Sequence, residues 1–401
     1  MKIILGTESF SPNISGVAVA TEILANNLVK AGHEPFVLCP SQTGQTFVDK
    51  NFPYKVIRLK SILNPFRKGF RITSASKEEI RRQVEEIKPD LIHLQDVATV
   101  GIMLRDIGKE KHIPVIITNH FSLEFALSYI KFKLLQPISK YLLVRYLVNF
   151  HDHCDLVLTP TETIAKQIRS WGVKTPVIAI SNGIFYDRFA RKFPEKKIAQ
   201  FLINYHLPEN PIVLYTGRID QDKSIDVIVK AVPDVVNNTN AHFVFAGTGD
   251  LIPEMEKLAE ELGVRKDITF LGRLDHDSDD FVALYKSAKV FAIASTIETQ
   301  SLVTLEAMSA GLPIAAVRYN ALPELVKDGV NGYLFKVGDS KELAKDIVKI
   351  LKDKKESFQM GKHSMQIASQ HEITKTFSEL LDIYKNLILE KQKGLAGTKL
   401  V

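Results

Sequence analysis

The chain has 401 residues, of which 45% are hydrophobic and 24% are charged, as is usual for a globular protein. At roughly 100–200 residues per domain, this length favours two domains. The composition excludes a wholly disordered, collagen-like or coiled-coil chain, and no uncharged apolar run approaches the ~18 residues of a membrane-spanning helix.

The net charge of +6 is distributed unevenly. Residues 1–190 contain 24 Lys and Arg against 17 Asp and Glu, an excess of 7, whereas the remainder contains 28 against 29, a deficit of 1. This asymmetry predicts a polyanionic partner for the first half, either a membrane surface or nucleic acid; a solvated surface without a partner is the alternative. Only two cysteines occur, which favours a reducing compartment, and the N-terminal apolar stretch is too short for a signal peptide.

Short apolar runs alternate with helix-like segments along the first half, which predicts a parallel α/β sheet. The predicted strands are 2–6, 35–40, 90–94, 113–119, 155–159 and 177–180, and the predicted helices are 16–31, 76–87 and 162–171. A polar stretch that includes Pro194 and Pro208, residues 187–211, follows and predicts a domain boundary.

The same alternation restarts after this stretch. The predicted strands are 211–216, 242–246, 268–270, 290–294, 313–317 and 332–335, and the predicted helices are 224–237, 253–262, 279–287, 301–310, 340–352 and 374–391. We therefore predict an α/β protein with two Rossmann-like domains facing across a cleft, whose ligands bind beyond the carboxyl ends of the strands.

Three strand-to-helix loops carry polar residues suited to an anionic ligand. Ser15 can cap the helix that begins at Gly16, although many helices begin with such a pair without binding a ligand. Arg218 and Lys223 lie in one loop. The Arg218 guanidinium can donate two parallel hydrogen bonds and the Lys223 ammonium supplies a point charge, a combination that suits a diphosphate. The alternative is a surface loop with unrelated charges.

The third loop contains two glutamates separated by seven residues. Glu298 follows a predicted strand, and Glu306 lies about one and a half turns into the next helix. Ser301 is a candidate helix cap, so that the amides of Leu302, Val303 and Thr304 could face an anion. The carboxylates could accept hydrogen bonds from ribose and sugar hydroxyls, but the spacing alone favours two solvent-facing glutamates.

Taken in order, these segments resemble the retaining family 4 glycosyltransferases of GT-B fold over nearly the whole chain. The segments that carry the resemblance are Ser15-Gly16, Thr118-Asn119-His120, Ser181-Asn182-Gly183-Ile184, Gly217-Arg218 with Lys223, Gly247-Thr248-Gly249, and Glu298 with Glu306 followed by Ala307-Met308-Ser309-Ala310-Gly311-Leu312-Pro313. The segment Glu298-Thr299-Gln300-Ser301-Leu302 resembles the subgroup that glycosylates diacylglycerol.

The resemblance implies a role for each matching residue. Arg218 and Lys223 would clamp the donor diphosphate and stabilise its leaving charge, Glu298 would hold the hexose, and Glu306 would hold the ribose. His120 would line the reaction centre, Gly16 would contact the phosphates from the other domain, and Gly247 would shape the donor pocket. Two residues depart from the family pattern, since Ser301 stands where glycine is usual and Ser15 precedes Gly16 where many members have a glycine pair.

The resemblance also implies the reaction and its partners. The partners expected are a nucleotide sugar (UDP-glucose in the subgroup), a lipid acceptor such as 1,2-diacylglycerol and an anionic membrane surface, and neither nucleic acid nor a metal or other cofactor is expected. Retention would need no protein base. Residues 1–188 would bind acceptor and membrane, residues 189–373 the donor, and residues 374–401 would be a helix and tail crossing back to the first domain. The expected location is the cytoplasmic face of the cell membrane.

Two segments in the first half interleave aromatic, apolar and basic residues, a composition typical of interfacial membrane binding. One spans residues 54–71 and the other residues 121–150, with Glu124 as the sole acid. The basic residues assigned to the membrane are Lys60, Arg67, Lys68, Lys131, Lys133, Lys140 and Arg145. A core-packing helix with a solvated basic face is the alternative.

Other readings remain open at this stage. The same enzyme class could act on a phosphatidylinositol, a polyprenyl-linked saccharide or a soluble sugar. A non-catalytic protein that binds membrane or nucleic acid would use the basic half. An epimerase of the same two-domain fold is a further alternative, but it does not explain the long amphipathic segment after His120. The motif Asp275-His276-Asp277 has a metal-binding form, but it is interpreted as the acidic opening of a helix.

Overall fold

The computed structural model describes residues 1–13, 15–65, 69–121, 123, 127 and 136–394. The chain divides into two compact units. Unit 1 comprises Met1–Asn182 together with the C-terminal segment from Thr376, and unit 2 comprises Gly183–Lys375. Each unit contains a mainly parallel sheet flanked by helices, so the α/β class and the two Rossmann-like domains that the sequence predicts are confirmed.

Unit 1 is built on an eight-stranded sheet with the order β10-β9-β8-β7-β1-β2-β4-β3, and all neighbours are parallel except β3 and β4. A separate antiparallel pair, β5 and β6, adjoins it. The strands are β1 Lys2–Gly6, β2 Glu34–Pro40, β3 Phe47–Asp49, β4 Lys55–Leu59, β5 Ser61–Leu63, β6 Arg71–Thr73, β7 Leu91–Leu94, β8 Val115–Thr118, β9 Leu156–Thr159 and β10 Val177–Ala179. The helices are α1 Gly16–Lys30, α2 Lys77–Ile87, α3 Thr99–Glu110, α4 Gln136–His151 and α5 Glu162–Ser170.

Both faces of the unit 1 sheet are buried. Successive side chains of a strand point to opposite faces, and accordingly Ile4 belongs to one hydrophobic cluster while Ile3 and Leu5 belong to another. This double burial explains why the central strands are continuous apolar runs in the sequence.

Unit 2 is built on a six-stranded, wholly parallel sheet with the order β13-β12-β11-β14-β15-β16. Its strands are β11 Ile212–Thr216, β12 His242–Ala246, β13 Ile268–Gly272, β14 Ala288–Ile293, β15 Ile314–Val317 and β16 Gly332–Phe335. Its helices are α6 Tyr186–Ala190, α7 Glu195–Asn204, α8 Ile225–Thr239, α9 Ile252–Glu261, α10 Asp279–Ser287, α11 Leu302–Ser309, α12 Leu322–Leu325, α13 Ser340–Lys352 and α14 Lys354–Ala368. Since all strands are parallel, their carboxyl ends meet at one edge.

The stretch 187–211, where the sequence predicts a domain boundary, contains regular secondary structure. It contains most of the short helix α6 and all of α7, whose Phe201 is buried in the core of unit 2. Pro194 lies at the N-cap position of α7, where a proline costs no helical hydrogen bond. The helices α3 and α14 were likewise absent from the predicted elements.

The C-terminal helix α15, Ile373–Gln392, packs into unit 1, as the sequence predicts. Its Tyr384 is fully buried, and the hydroxyl lies 2.5 Å from Nδ1 of His93 on β7. Lys391 forms an ion pair of 2.6 Å with Asp155. These contacts, together with the burial of Leu387, attach the end of the chain to the core of unit 1. Among the helices of the described residues, none has the length and apolarity needed to cross a membrane.

Candidate active site

The carboxyl edge of the unit 2 sheet brings together the polar loops that the sequence singles out. The loop after β11 carries Arg218 and Lys223, the loop after β13 carries His276, and the loop after β14 carries Glu298 and Ser301. In a parallel α/β sheet this edge is where ligands bind, because the helix N-termini and loop side chains converge there.

Lys223 and Glu298 form an ion pair at this edge. Nζ of Lys223 lies 2.8 Å from Oε1 of Glu298, and less than a fifth of either side chain is exposed. Burial opposes ionisation of this carboxyl, but the Lys223 ammonium and a hydrogen bond from Ser295 outweigh it and lower the pKa of Glu298. The pair therefore places a fixed positive charge and a carboxylate acceptor side by side.

Arg218 lies beside this pair but is engaged within its own loop. Its guanidinium donates to Asp220 and, over 2.9 Å, to Asp222, and its side chain is 42% exposed. The two carboxylates of the loop therefore hold the guanidinium of Arg218 in place. Binding of a diphosphate would require the guanidinium to exchange at least one of these carboxylates for a phosphate.

Glu306 on α11 is buried and already hydrogen-bonded on both oxygens. Oε1 lies 2.9 Å from Nε2 of His276, and Oε2 accepts a bond of 2.8 Å from the hydroxyl of Tyr285 on α10. The same hydroxyl lies 2.7 Å from Oγ1 of Thr216 at the end of β11. The carboxylate is thus held in one orientation by one group from the loop after β13 and one from α10, and the latter is itself hydrogen-bonded to the end of β11.

The position of residues 275–277 in the fold differs from the one that the sequence predicts. These residues precede α10 rather than opening it, since Ser278 is the N-cap and its hydroxyl accepts from the Phe281 amide. The Asp277 side chain is 93% exposed. Within the part of the chain that the structure describes, no three His, Cys, Asp or Glu side chains form a metal-binding group.

Ser301 occupies the N-cap position of α11 but does not act as the predicted cap. Its backbone is left-handed, with φ of 76°, and its hydroxyl lies 2.8 Å from Oγ1 of Thr304 instead of accepting from a backbone amide. This conformation suits glycine, which is the residue that the family resemblance leads us to expect at this position. The first amides of α11, from Leu302 and Val303 onward, have no partner within the helix and can face an anion.

Gly247 supports the loop that carries Arg218. A Cβ atom on Gly247 would lie 1.8 Å from the carbonyl oxygen of Gly217, so the two backbones touch directly. The amide of Gly217 donates to Ala246, and the amide of Gly247 donates to Gly272. Backbone hydrogen bonds therefore link three adjacent strand ends, and the close approach of Gly247 to Gly217 requires glycine at position 247.

Unit 1 places its predicted residues at the carboxyl ends of its own strands. Ser15 caps α1 by accepting from the Ala18 amide over 3.1 Å, and a Cβ atom on Gly16 would meet open space. His120 follows β8, and its Nε2 lies 3.2 Å from Oε1 of Gln95 after β7. Burial lowers the pKa of His120 to about 4, so the imidazole is neutral at pH 7.

The first predicted membrane segment is buried in part and exposed in part. Residues Val56, Ile57 and Leu59 of β4 are buried, and Arg58 is 3% exposed because it pairs with Asp49 over 3.0 Å. Lys60 is exposed, and so are Ile62 and Leu63 on the following strand β5. Arg67 and Lys68 lie outside the described residues.

The second segment presents an exposed face with the predicted composition. On α4, Lys140 and Arg145 are exposed, and Ile138, Tyr141 and Leu142 are each about 60% exposed. Only the end of the helix is buried, at Leu147, Phe150 and His151. The remaining predicted membrane residues, Lys131 and Lys133, lie outside the described residues.

Sequence reasoning did not identify His276, Tyr285 or Gln95 as parts of these sites. Each is separated by 20 or more residues from the partner that it contacts, namely Glu306 for the first two and His120 for the third. A single histidine, tyrosine or glutamine in a loop or helix carries no local signal for such a contact. Only the folded sheets bring the partners together.

Comparison with known proteins identifies the family of the chain. The family described as "Glycosyltransferase Family 4" matches residues 14–188, and "Glycosyl transferases group 1" matches residues 199–366. The chain is similar to α-monoglucosyldiacylglycerol synthase of Streptococcus pneumoniae (strain ATCC BAA-255 / R6), with 28% identity over 341 residues, 84% of this chain and 75% of that protein. It is also similar to the synthase of that name from Acholeplasma laidlawii, with 29% identity over 360 residues, 87% of this chain and 88% of that protein.

A solved structure supports the fold. The Anabaena HepE protein in complex with UDP and glucose superposes with a TM-score of 0.75 and 20% identity, covering 96% of this chain and all of that one. At this identity the likeness concerns the fold.

Proposed function

The chain belongs to the family 4 glycosyltransferases of GT-B fold, and from this premise we propose that it transfers glucose from UDP-glucose to 1,2-diacylglycerol with retention at the anomeric carbon. The observation that carries this proposal is the pairing of Lys223 with Glu298 at the carboxyl edge of unit 2. It combines a cation for a leaving phosphate with a carboxylate for sugar hydroxyls.

The proposed mechanism is electrostatic. Negative charge develops on the leaving diphosphate, and the cations of Lys223 and Arg218, with the first amides of α11, would stabilise it in place. Glu298 would accept hydrogen bonds from the hexose and Glu306 from the ribose. The acceptor hydroxyl would attack from the face that the phosphate leaves, and the phosphate oxygen would take its proton, so no protein base is needed.

The choice of donor, acceptor and stereochemistry is supported by the relatives. Two of them are named as synthases of an α-monoglucosyldiacylglycerol. Since glucose in UDP-glucose is α-linked, an α-glucoside product corresponds to retention. On unit 1, the proposed roles of Gly16 at the phosphates and of neutral His120 beside the hexose are consistent with the open space at Gly16 and with the pKa of His120.

The proposed acceptor lies in a membrane, and the exposed face of α4 is suited to meet it. Aromatic and aliphatic side chains can enter the interface while Lys140 and Arg145 contact anionic headgroups. We therefore propose that the protein acts as a peripheral enzyme at the inner face of the cell membrane.

The proposed reaction is tested by incubating the purified protein with radiolabelled UDP-glucose and diacylglycerol in mixed micelles, with and without phosphatidylglycerol. We expect a single labelled glycolipid by thin-layer chromatography, in larger amount when the anionic lipid is present, and cleavable by an α-glucosidase but not by a β-glucosidase. A β-linked product would contradict retention. UDP release without labelled diacylglycerol product would contradict the acceptor, and a screen of other lipid and soluble acceptors would follow.

Membrane docking is tested by reversing two charges on α4. The double variant Lys140→Glu/Arg145→Glu is expected to bind anionic vesicles at least 30-fold more weakly, because each basic residue near the surface contributes about 1 kcal/mol. Vesicle flotation measures the bound fraction. The matched control is Lys341→Glu/Lys345→Glu, which reverses two exposed lysines on α13 of unit 2. Equal binding by the α4 variant and the wild type would contradict docking through this face.

A further inference from the structure

We propose that His276 is a positioning residue that fixes the carboxylate of Glu306 so that it receives the 2′- and 3′-hydroxyls of the donor ribose. This inference rests on the proposed function and deepens it, since it names a determinant of nucleotide recognition. The family resemblance assigns Glu306 alone to the ribose, and His276 is brought to it only by the folded chain.

The contacts of Glu306 leave two acceptor directions free on its carboxylate. His276 takes one lone pair of Oε1, and Tyr285 takes one of Oε2. Each carboxylate oxygen has a second acceptor direction, so two remain for ligand hydroxyls. The residue is only 7% exposed, so its accessible part is small. A vicinal diol, with two adjacent hydroxyl donors, matches two adjacent acceptor oxygens.

Arg188 on α6 fixes the position of His276 and its loop. The Arg188 guanidinium donates to the carbonyl oxygens of His276 and of Ser278, and one of its nitrogens lies 3.3 Å from Nδ1 of His276. The imidazole also packs against Phe281, with ring centroids 4.8 Å apart. The loop is thereby fixed although about half of the His276 side chain is exposed.

This arrangement keeps a proton on Nε2 in both charge states of the imidazole. When His276 is neutral, Arg188 donates to Nδ1 and the single ring proton resides on Nε2, facing Glu306. When His276 is protonated, Nδ1–H faces the Asp277 carboxylate, 3.5 Å away, and Nε2–H still faces Glu306. The hydrogen bond with Glu306 raises the pKa of His276, against the opposing effects of burial and of Arg188. In either state the bond to Glu306 persists.

The consequence is a carboxylate that is oriented before the nucleotide binds. Without His276, Oε1 would lose its donor and the Glu306 side chain would be fixed by Tyr285 alone. Part of the energy of each ribose hydrogen bond would then be spent on ordering the carboxylate. The loss should therefore fall on ribose recognition specifically and leave contacts to the diphosphate intact.

The test is isothermal titration of the full-length protein with UDP and with 2′-deoxy-UDP. The wild type should bind UDP about tenfold more tightly than 2′-deoxy-UDP, since a hydrogen bond to a charged group is lost. His276→Ala should bind UDP about 5- to 20-fold more weakly and should prefer UDP by no more than about threefold. His276→Gln, whose amide can donate to Glu306, should recover most of the preference.

Two controls separate this role from a general loss of structure. His363→Ala removes a histidine elsewhere in unit 2, whose Nδ1 lies 3.0 Å from the carbonyl oxygen of Val330, and should bind both nucleotides as the wild type does. Thermal unfolding identifies any variant that is misfolded. If His276→Ala lowers the affinity for UDP and for 2′-deoxy-UDP by the same factor, or lowers neither, the positioning role is wrong while the proposed function stands. If the wild type binds no UDP, the proposed donor is wrong and this inference fails with it.

Discussion

Replacing Lys223 with methionine is expected to lower kcat for glycosyl transfer by about 10²–10³-fold, the effect typical of removing one preorganised group that stabilises transition-state charge. Methionine keeps an unbranched chain of similar length, so packing in the loop should change little. What is lost is the ammonium, 2.8 Å from Glu298. Steady-state kinetics with labelled UDP-glucose measure the change.

The same substitution should alter the pH dependence of the remaining activity. In the wild type, Lys223 is the main reason that the pKa of Glu298 lies below its ordinary value despite burial. Without the ammonium, burial is the dominant effect and the pKa should rise. The reaction needs the Glu298 carboxylate in its ionised form, and in the variant this carboxylate becomes protonated at a higher pH than in the wild type. The acid limb of the pH–rate profile should therefore lie at a higher pH in the variant.

Two further variants distinguish charge from structure. Lys223→Arg retains the cation and should keep more activity than Lys223→Met, although the larger fork cannot reproduce the geometry. Lys230→Met removes an exposed lysine on α8 that pairs with Asp226, and should behave as the wild type. If Lys223→Met kept more than about a third of the wild-type kcat, the cation would not stabilise the leaving group.

The strand–helix alternation was the most informative feature of the sequence. Buried parallel strands are short runs of aliphatic residues, such as Ile212–Thr216, in which all five residues are buried. Neither tertiary contact nor exact register is needed to recognise them. The order of the loops then placed Arg218, Lys223 and Glu298 at one edge, because parallel strands end together.

Segments that depend on tertiary contacts were predicted less well. Residues 55–59 combine basic and apolar residues, which is also the composition of an interfacial segment. In the fold Arg58 is buried because Asp49, on the antiparallel neighbour β3, pairs with it. A pairing of this kind depends on the sheet, so composition alone cannot distinguish a core strand with one buried ion pair from a membrane-binding stretch.

In the candidate site, too, some features can be predicted from the sequence and others depend on tertiary contacts. Motif positions such as Glu298 and Glu306 can be recognised in the sequence, but the groups that orient them cannot. The conformation of Ser301 is another example, since its left-handed backbone is imposed by the turn between β14 and α11. Nothing in the residue itself signals that it takes a conformation suited to glycine.

Gly247→Ala is expected to destabilise unit 2 by about 3 kcal/mol or more, since overpacking costs about 1–3 kcal/mol and an unfavourable backbone conformation costs a similar amount. The new Cβ would lie 1.8 Å from the carbonyl oxygen of Gly217 and 2.8 Å from its carbonyl carbon, and φ at this position is +152°. Backbone atoms cannot move aside as a flexible side chain can, so the strand ends must separate.

This separation should reach the donor loop because Gly217 directly precedes Arg218. We therefore expect a fall in melting temperature of roughly 6–12 °C together with the loss of measurable UDP binding, at about 2–4 °C per kcal/mol for a domain of this size. The matched control is Gly263→Ala, whose φ is also positive at +70° but whose added Cβ would meet no atom within 4 Å. Gly263→Ala has the energetic cost of a side chain at positive φ but no steric collision with a neighbouring backbone. Its melting temperature should therefore fall by only a few degrees, and it should still bind UDP. Equal melting temperatures for the two variants would show that the collision with Gly217 is relieved at no cost, and that the contact between these strand ends does not hold the donor loop in place.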